Sequence, residues 1–339
     1  MDMRELRETA RRKMTGKCRV CPVCNGRACA GEVPGMGGTG TGEAFTENLR
    51  ALANLKLNMR TIHDAVQPDT GVEMFGRKLK TPILGAPITG AAINAGEALN
   101  EFDMVSALVE GSHLAGSIGW IGDPANPKMY EDGLQSIRRA GQGIAIIKPR
   151  VDNREIVELF RLAEQAGAIA LGMDLDGAGL ITMALKGQPV GPKTKEQLAE
   201  LIQSTALPFI IKGIMTAGEA VTCMEAGAKA IVVSNHGGRV LDHTPGAADV
   251  LPEIAEAVKG KITILADGGV RSGADVLKLL ALGADGVLVG RPLIMGAYGG
   301  GAEGVKAVID KYTGELKAAM ILTGCRSIKE IGSQVLWHK

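Results

Sequence analysis

Ile231-Val232-Val233-Ser234-Asn235-His236-Gly237-Gly238-Arg239-Val240-Leu241-Asp242 begins as a short apolar run and ends in a polar turn softened by two glycines. An apolar run without alternation reads as a strand buried on both faces, as in a parallel sheet covered by helices. The turn behind it delivers Asn235, His236 and Arg239 to the strand's end. A base and a fixed cation placed this close together suit a small anionic substrate that must lose a proton. Histidine titrates near neutrality, and the guanidinium fork of arginine matches a carboxylate. The plainer reading, a polar loop capping the next helix, leaves the paired glycines beside a His and an Arg unexplained.

The same unit recurs outward from this stretch. Apolar runs stand at Pro82–Pro87, His113–Ile118, Ile144–Lys148, Ile169–Asp174, Pro208–Gly213, Ala230–Ser234, Ile262–Asp267 and Gly286–Gly290. Helical spacing fills the gaps at Ile156–Gln165, Lys195–Gln203, Ala217–Ala226, Ala248–Val258 and Gly273–Leu282. Eight strand–helix units between residues 82 and 290 predict an α/β fold, a (β/α)8 TIM barrel, in preference to an open sheet. The run ends carry Thr89, Lys148, Asp174 with Asp176, Lys212, His236 with Arg239, Asp267 with Arg271, and Gly290-Arg291. One polar residue at a loop start is ordinary; eight loops meeting at one mouth, six of them carrying charge, read as a site.

Before the barrel, residues 1–17 are charged and helix-prone, residues 18–42 are rich in Cys and Gly, and Ala44–Leu57 has helical spacing. Residues 1–60 are therefore expected to form an N-terminal helical and Cys/Gly-rich extension packing on a barrel of residues 61–339. Hydrophobic residues make up 45% of the 339 and charged residues 22%, with a formal net charge of +1, so nothing draws the chain to nucleic acid or a membrane surface. At 3%, aromatics are too sparse for a base-stacking platform. No run approaches the ~20 apolar residues of a membrane helix. Met1–Lys17 has no apolar signal segment, and the expected location is the cytoplasm.

Asp267-Gly268-Gly269-Val270-Arg271-Ser272-Gly273 follows the seventh run and Gly290-Arg291-Pro292 the eighth. Barrels hold phosphate between these two loops, using backbone N–H groups and a helix N-terminus, and two arginines add bidentate charge.

These loops, with Ile211-Lys212-Gly213, Ser234–Asp242, Ala274-Asp275-Val276, Ala281-Leu282-Gly283-Ala284 and Gly324-Cys325-Arg326-Ser327, resemble the FMN-dependent α-hydroxy-acid oxidase/dehydrogenase family of the glycolate oxidase, lactate oxidase and flavocytochrome b2 type. The match is dense from about Lys195 to Ile331, thinner from Pro82 to Asp176, and fails before residue 43. The resemblance implies a barrel with FMN at its C-terminal mouth and oxidation of an L-2-hydroxy acid to a 2-oxo acid. It implies that His236 is the catalytic base, Asp176 its orienting carboxylate and Arg239 the anchor of the substrate carboxylate. Lys212 would stand beside the flavin and stabilise its anionic reduced form. Pro87, Ile88 and Thr89 would back the ring, with Ser234 and Gly237 against the flavin and Asp267 on the ribityl chain. Gly268, Gly269, Arg271, Gly290 and Arg291 would cradle the phosphate.

Departures from the pattern fall in the substrate pocket. The family presents two tyrosines to the substrate, but the three here, at 130, 298 and 312, match neither position. Lys148 stands for one of them and the Pro34–Gly42 run for the other; Ile146 replaces a flavin-contacting glutamine and Asp174 a threonine. The Leu180–Lys186 connection is short. Lys148 reads either as a substrate contact or as a barrel lysine paired with Asp174.

Cys18-x2-Cys21-x2-Cys24-x4-Cys29 lies outside that resemblance. Four close thiolates on a glycine-bearing loop suit an iron–sulfur cluster or zinc, the alternative being redox-active or merely reduced thiols. Cys223 and Cys325 read as core residues. An iron–sulfur centre would let electrons leave for a carrier instead of oxygen. Two other functions compete: an FMN-dependent isomerase of the type 2 isopentenyl diphosphate isomerase kind, and a non-catalytic flavin- or metal-binding regulator. The expected partners are a small 2-hydroxy acid, an electron carrier and copies of the chain itself, as a tetramer or octamer.

Overall fold

The computed structural model describes residues 1–180, 183 and 186–337. Much of the Leu180–Lys186 connection, expected to be short, lies outside the described residues. Helices α1 (Met3–Lys13) and α2 (Glu43–Asn54) precede a hairpin of β1 (Val72–Met74) and β2 (Arg77–Leu79). The barrel then alternates β3 (Ile83–Gly85), α3 (Glu101–Leu114), β4 (Trp120–Gly122), α4 (Pro127–Ala140), β5 (Ile144–Ile147), α5 (Asn153–Gln165) and β6 (Ala170–Asp174). It continues with α6 (Lys195–Gln203), β7 (Phe209–Ile214), α7 (Ala217–Glu225), β8 (Ala230–Val233) and α8 (Ala247–Val258). β9 (Thr263–Ala266), α9 (Gly273–Ala281), β10 (Gly286–Val289) and α10 (Arg291–Thr323), the last broken at Gly300 and Gly301, complete it.

All eight barrel strands are parallel, in the order β3-β10-β9-β8-β7-β6-β5-β4. At the remaining seam the Gly85 N–H donates to the Ile118 carbonyl at 3.1 Å. The predicted (β/α)8 TIM barrel is therefore the observed fold. Polar caps start its helices: the Asp152, Thr194, Thr216 and Ser272 side chains accept N–H groups of the first turn.

Side chains alternate along each strand, so every second residue faces the interior. Ile144 and Ile146, Ala170, Ile210, Ala230 and Val232, Leu265 and Leu288 form one buried cluster with Trp120 and Leu84. Met74 and Leu79 of the hairpin join it. The intervening residues, such as Ile147, Leu171, Ile211, Ile231 and Ile264, belong to a second cluster shared with the helices. At the other end the same inward positions become Lys148, Asp174, Lys212, Ser234 and Asp267. That change of chemistry along a fixed period places the site.

The second strand differs from expectation. His113 and Leu114 end α3, Gly116 turns at φ +74°, and the strand is Trp120–Gly122. The run misled because it gathers residues of three different elements: Leu114 ends α3, Ala115 and Gly116 form the turn, and Ile118 lies before the strand. Its Gly116 N–H bonds back to the His113 carbonyl at 2.8 Å, which ends a helix.

Candidate active site

Asp174 ends β6, directly opposite Lys212 of β7 in the strand register. Its carboxylate is 4% exposed, with Lys212 Nζ at 3.0 Å from Oδ1 and Lys148 Nζ bonded to Oδ2. The 3-10 turn Leu175–Gly179 then carries Asp176 across the mouth. It passes so close to β7 that a Cβ on Gly213, itself at φ +97°, would meet the Asp176 Cγ at 2.6 Å; only glycine fits there. Asp176 Oδ1 reaches His236 Nδ1 at 2.9 Å, Asp174 Oδ1 stands 3.5 Å from the same nitrogen, and Lys212 Nζ is 3.9 Å from Asp176 Oδ2.

His236 holds φ +58°, an uncommon conformation for a side chain other than glycine, as befits a strained functional residue. Gly237 and Gly238 continue the left-handed path. A Cβ on Gly238 would lie 2.3 Å from the Phe45 backbone nitrogen. The paired glycines thus let the turn close against α2, where Asn48 donates to Asn235 Oδ1 at 2.7 Å. Ser234 Oγ accepts the His236 N–H at 3.0 Å.

Charge explains the titration of the group. Burial alone would lift Asp174, but the His236, Lys148 and Lys212 charges hold it well below the usual carboxylate range. Burial would lower Lys212, yet Asp174 and then Asp176 raise it above an ordinary lysine, so its ammonium is permanent. Asp267 is raised by burial, and its Oδ1 has no hydrogen-bond partner. The ligand atoms of Asp174, Asp176 and His236 lie within 4.8 Å of one another, the spacing of a metal site, but Lys212 already supplies the cation.

Three arginines crowd the phosphate loops. Arg239 donates to the Gly35 and Gly37 carbonyls at 2.5 and 3.2 Å and to Asn94 Oδ1 at 3.1 Å. Arg291 donates to Met36, Gly37 and Gly237 carbonyls at 2.8, 2.9 and 3.0 Å and lies 3.9 Å above the Phe45 ring. Arg271 bonds the Cys24 carbonyl at 3.2 Å. Among the described residues none of the three guanidinium groups pairs with a carboxylate. Burial, then the Arg239 and Arg271 charges, lower Arg291 to about 9. A buried cation cluster without an acid is costly unless an anion joins it.

An orphaned buried carboxylate oxygen, an unpaired arginine cluster and a fixed lysine fit the ribityl hydroxyls, phosphate and isoalloxazine of FMN. At Gly290 a Cβ would make ordinary contact with Ala86 and Ile88, both at 3.8 Å. Pro87, Ile88 and Thr89 follow β3 at the mouth and are half-buried. Gly268 and Gly269 instead press on α2, where a Cβ would strike Asn48. Lys148 pairs with Asp174. Sequence reading named Asp174 as a partner of Lys148 but missed its contacts with Lys212 and His236, and it missed Asn94, whose bond to Arg239 left no local signal.

Cys18, Cys21, Cys24 and Cys29 are free and half-buried on the loop over Arg271. Among the described residues, no three of their sulfurs lie within 4.8 Å of one another.

The chain matches the family described as FMN-dependent dehydrogenase over residues 35–186 and 182–338. It is 32% identical to a 2-hydroxyacid oxidase of Dictyostelium discoideum, over 87% of this chain and 82% of the relative. It is 32% identical to an L-lactate oxidase of Lactobacillus jensenii (85% and 76%) and 31% identical to the glycolate oxidase of Spinacia oleracea (85% and 85%). Solved mandelate oxidase structures superpose with TM-scores of 0.77, one with (S)-2-phenylpropionate at 28% identity over 99% of this chain and 97% of that one. Another, at 29% identity over 99% and 98%, carries a C4a-OH-FMN adduct. On these matches and on the geometry of its mouth, the chain belongs to the FMN-dependent dehydrogenase family and takes FMN as its cofactor.

Proposed function

We propose that the protein oxidises an L-2-hydroxy acid to the 2-oxo acid. The observation that carries this reading is the His236–Asp176 contact beside a permanently charged Lys212. With its Nδ1–H donated to Asp176, His236 presents Nε2 as the atom that takes a proton from substrate. Asp176 fixes that tautomer and stabilises the imidazolium that results. FMN, when bound, supplies the acceptor of the electron pair. Lys212 places positive charge where negative charge develops. Arg239 has five N–H donors and uses three contacts on protein, leaving capacity for the substrate carboxylate.

Three smaller proposals accompany it: a cytoplasmic location, passage of electrons to oxygen or a carrier, and a tetrameric or octameric assembly. Exposed Met59, Ile62 and Val66 support the last. The four N-terminal cysteines are proposed to bind metal, as iron–sulfur or zinc. Among the described residues no helix is long and apolar enough to cross a membrane. The isomerase reading rested on surplus lysine charge, which Asp174 neutralises at Lys148.

The test is anaerobic bleaching of the flavin by a panel of 2-hydroxy acids. His236→Asn should slow reduction by about 10³-fold, within the range of general base catalysis, with FMN still bound. Failure of every acid to bleach the wild-type flavin, or FMN loss in the variant, would overturn the assignment.

A further inference from the structure

We infer that Cys18, Cys21, Cys24 and Cys29 ligate a [4Fe–4S] cluster seated against Arg271 of the phosphate loop. This rests on the proposal that the segment binds metal, not on the identity of the hydroxy acid.

The segment lies outside the family match, which starts at residue 35, so the barrel's own chemistry does not account for it. Apart from the short 3-10 turn Arg27–Cys29 it has no regular structure, yet it is firmly held. Arg7 and Arg11 of α1 donate to the Cys21 and Val20 carbonyls at 2.5 and 2.9 Å. From the other side Arg271 donates to the Cys24 carbonyl. Val20 sits at φ +43°, a conformation that a buried β-branched residue adopts only under constraint, and Gly26 turns at φ +82°. These two turns fold the chain back between successive cysteines, so the loop wraps instead of extending.

The donors around the sulfurs are those a thiolate cluster uses. The Val20 N–H points to Cys18 Sγ at 3.4 Å, and Arg271 Nη2 lies 3.4 Å from Cys24 Sγ. Hydrogen bonds to the sulfurs are one of the means by which a protein stabilises and tunes such clusters. The charge also fits: a tetrathiolate cluster is anionic, and the Arg271 guanidinium stands beside the Cys24 sulfur.

Iron–sulfur is favoured over zinc by spacing. Tetrahedral zinc at ~2.3 Å from each sulfur draws all four together. A cubane binds each sulfur at a different iron, so its four sulfurs stand farther apart than those around a single zinc. The Cys-x2-Cys-x2-Cys run is also the spacing that cubanes use.

The experiment is metal, sulfide and FMN analysis of the full-length holoenzyme purified without air, with and without anaerobic reconstitution by ferrous iron and sulfide. The expected result is about four iron and about four sulfide per chain, with visible absorption that dithionite bleaches and a paramagnetic resonance signal in the reduced state. Cys21→Ser and Cys24→Ser should lose the iron while FMN content holds. Should these variants fail to fold, the wild-type stoichiometry alone decides. Arg271→Gln should lower the cluster's reduction potential, because a neighbouring cation favours the more negative reduced form. Zinc without sulfide, two irons per chain, or no metal after reconstitution would each overturn the assignment. An unchanged potential in Arg271→Gln would overturn the seating. Flavin bleaching by hydroxy acids is read separately, so either reading can fail alone.

Discussion

The two ends of the barrel interior are built from the same inward positions and do opposite work. At the hairpin end, Ile144, Ala170, Ile210, Ala230 and Leu265 pack as a dry layer with Met74 and Leu79. Two or four residues further along the same strands stand Lys148, Asp174, Lys212, Ser234 and Asp267. The first layer draws its energy from removing apolar surface from water. The second draws on cross-strand ion pairing and leaves one carboxylate oxygen of Asp267 unsatisfied. One end is stabilised by burial alone, whereas the other holds only as long as its buried charges stay paired.

The sharpest way to break that contrast is Lys212→Met. Removing one partner of a buried pair leaves an uncompensated charge, costing about 3–5 kcal/mol, and it removes the cation beside the flavin as well. Denaturant melts should show the stability loss, and stopped-flow flavin reduction should slow by about 10²-fold. Preserved stability would mean that the mouth contributes nothing to the fold. Ile210→Ala tests the other layer: a loss of about 2–5 kcal/mol with kcat per folded molecule unchanged. A fall in kcat would show that the layers are coupled.

A smaller effect is expected at Asp267. Burial raises its folded pKa, so the cost of its ionisation is absent below the ordinary value near 3.9 and grows as pH rises through the folded pKa. Asp267→Asn should therefore stabilise the FMN-free chain at pH 7 relative to pH 4 while weakening FMN about tenfold, the worth of one buried hydrogen bond. Equilibrium melts at the two pH values and flavin titration check both halves. Asp174 titrates with the opposite sign, and Asp174→Asn also leaves Lys148 and Lys212 without their shared carboxylate, which lowers stability at neutral pH. Its folded pKa is depressed, so its stabilisation is present above the ordinary value and lost only as pH falls through the folded one. Acid melts of Asp174→Asn should lack that low-pH loss; a parallel loss in wild type and variant would show that the ion pairs contribute nothing there.

Much of this was legible in the residue order. Seven of the eight non-alternating apolar runs coincide with barrel strands, and the glycine–arginine pairs after the last two strands point to an anion site. The β4 position was not legible, because the run His113–Ile118 spans the end of α3, a turn and the approach to the strand, with no local signal for the boundary between them. Nor was the pairing of Lys148 with Asp174, 26 positions apart, where two chemistries stayed open until the register brought the side chains together.

The stretch Ile231–Asp242 by itself determined a buried strand that delivers a base and a cation into a turn, since periodicity and side-chain chemistry are local properties. Only the tertiary structure decided that Asp176 meets His236, that Gly238 is required by the backbone of Phe45, and that the cysteine loop lies on Arg271. Each of those contacts joins residues from distant parts of the chain, and only the closure of the barrel and the packing of the N-terminal segment on its mouth set their separation.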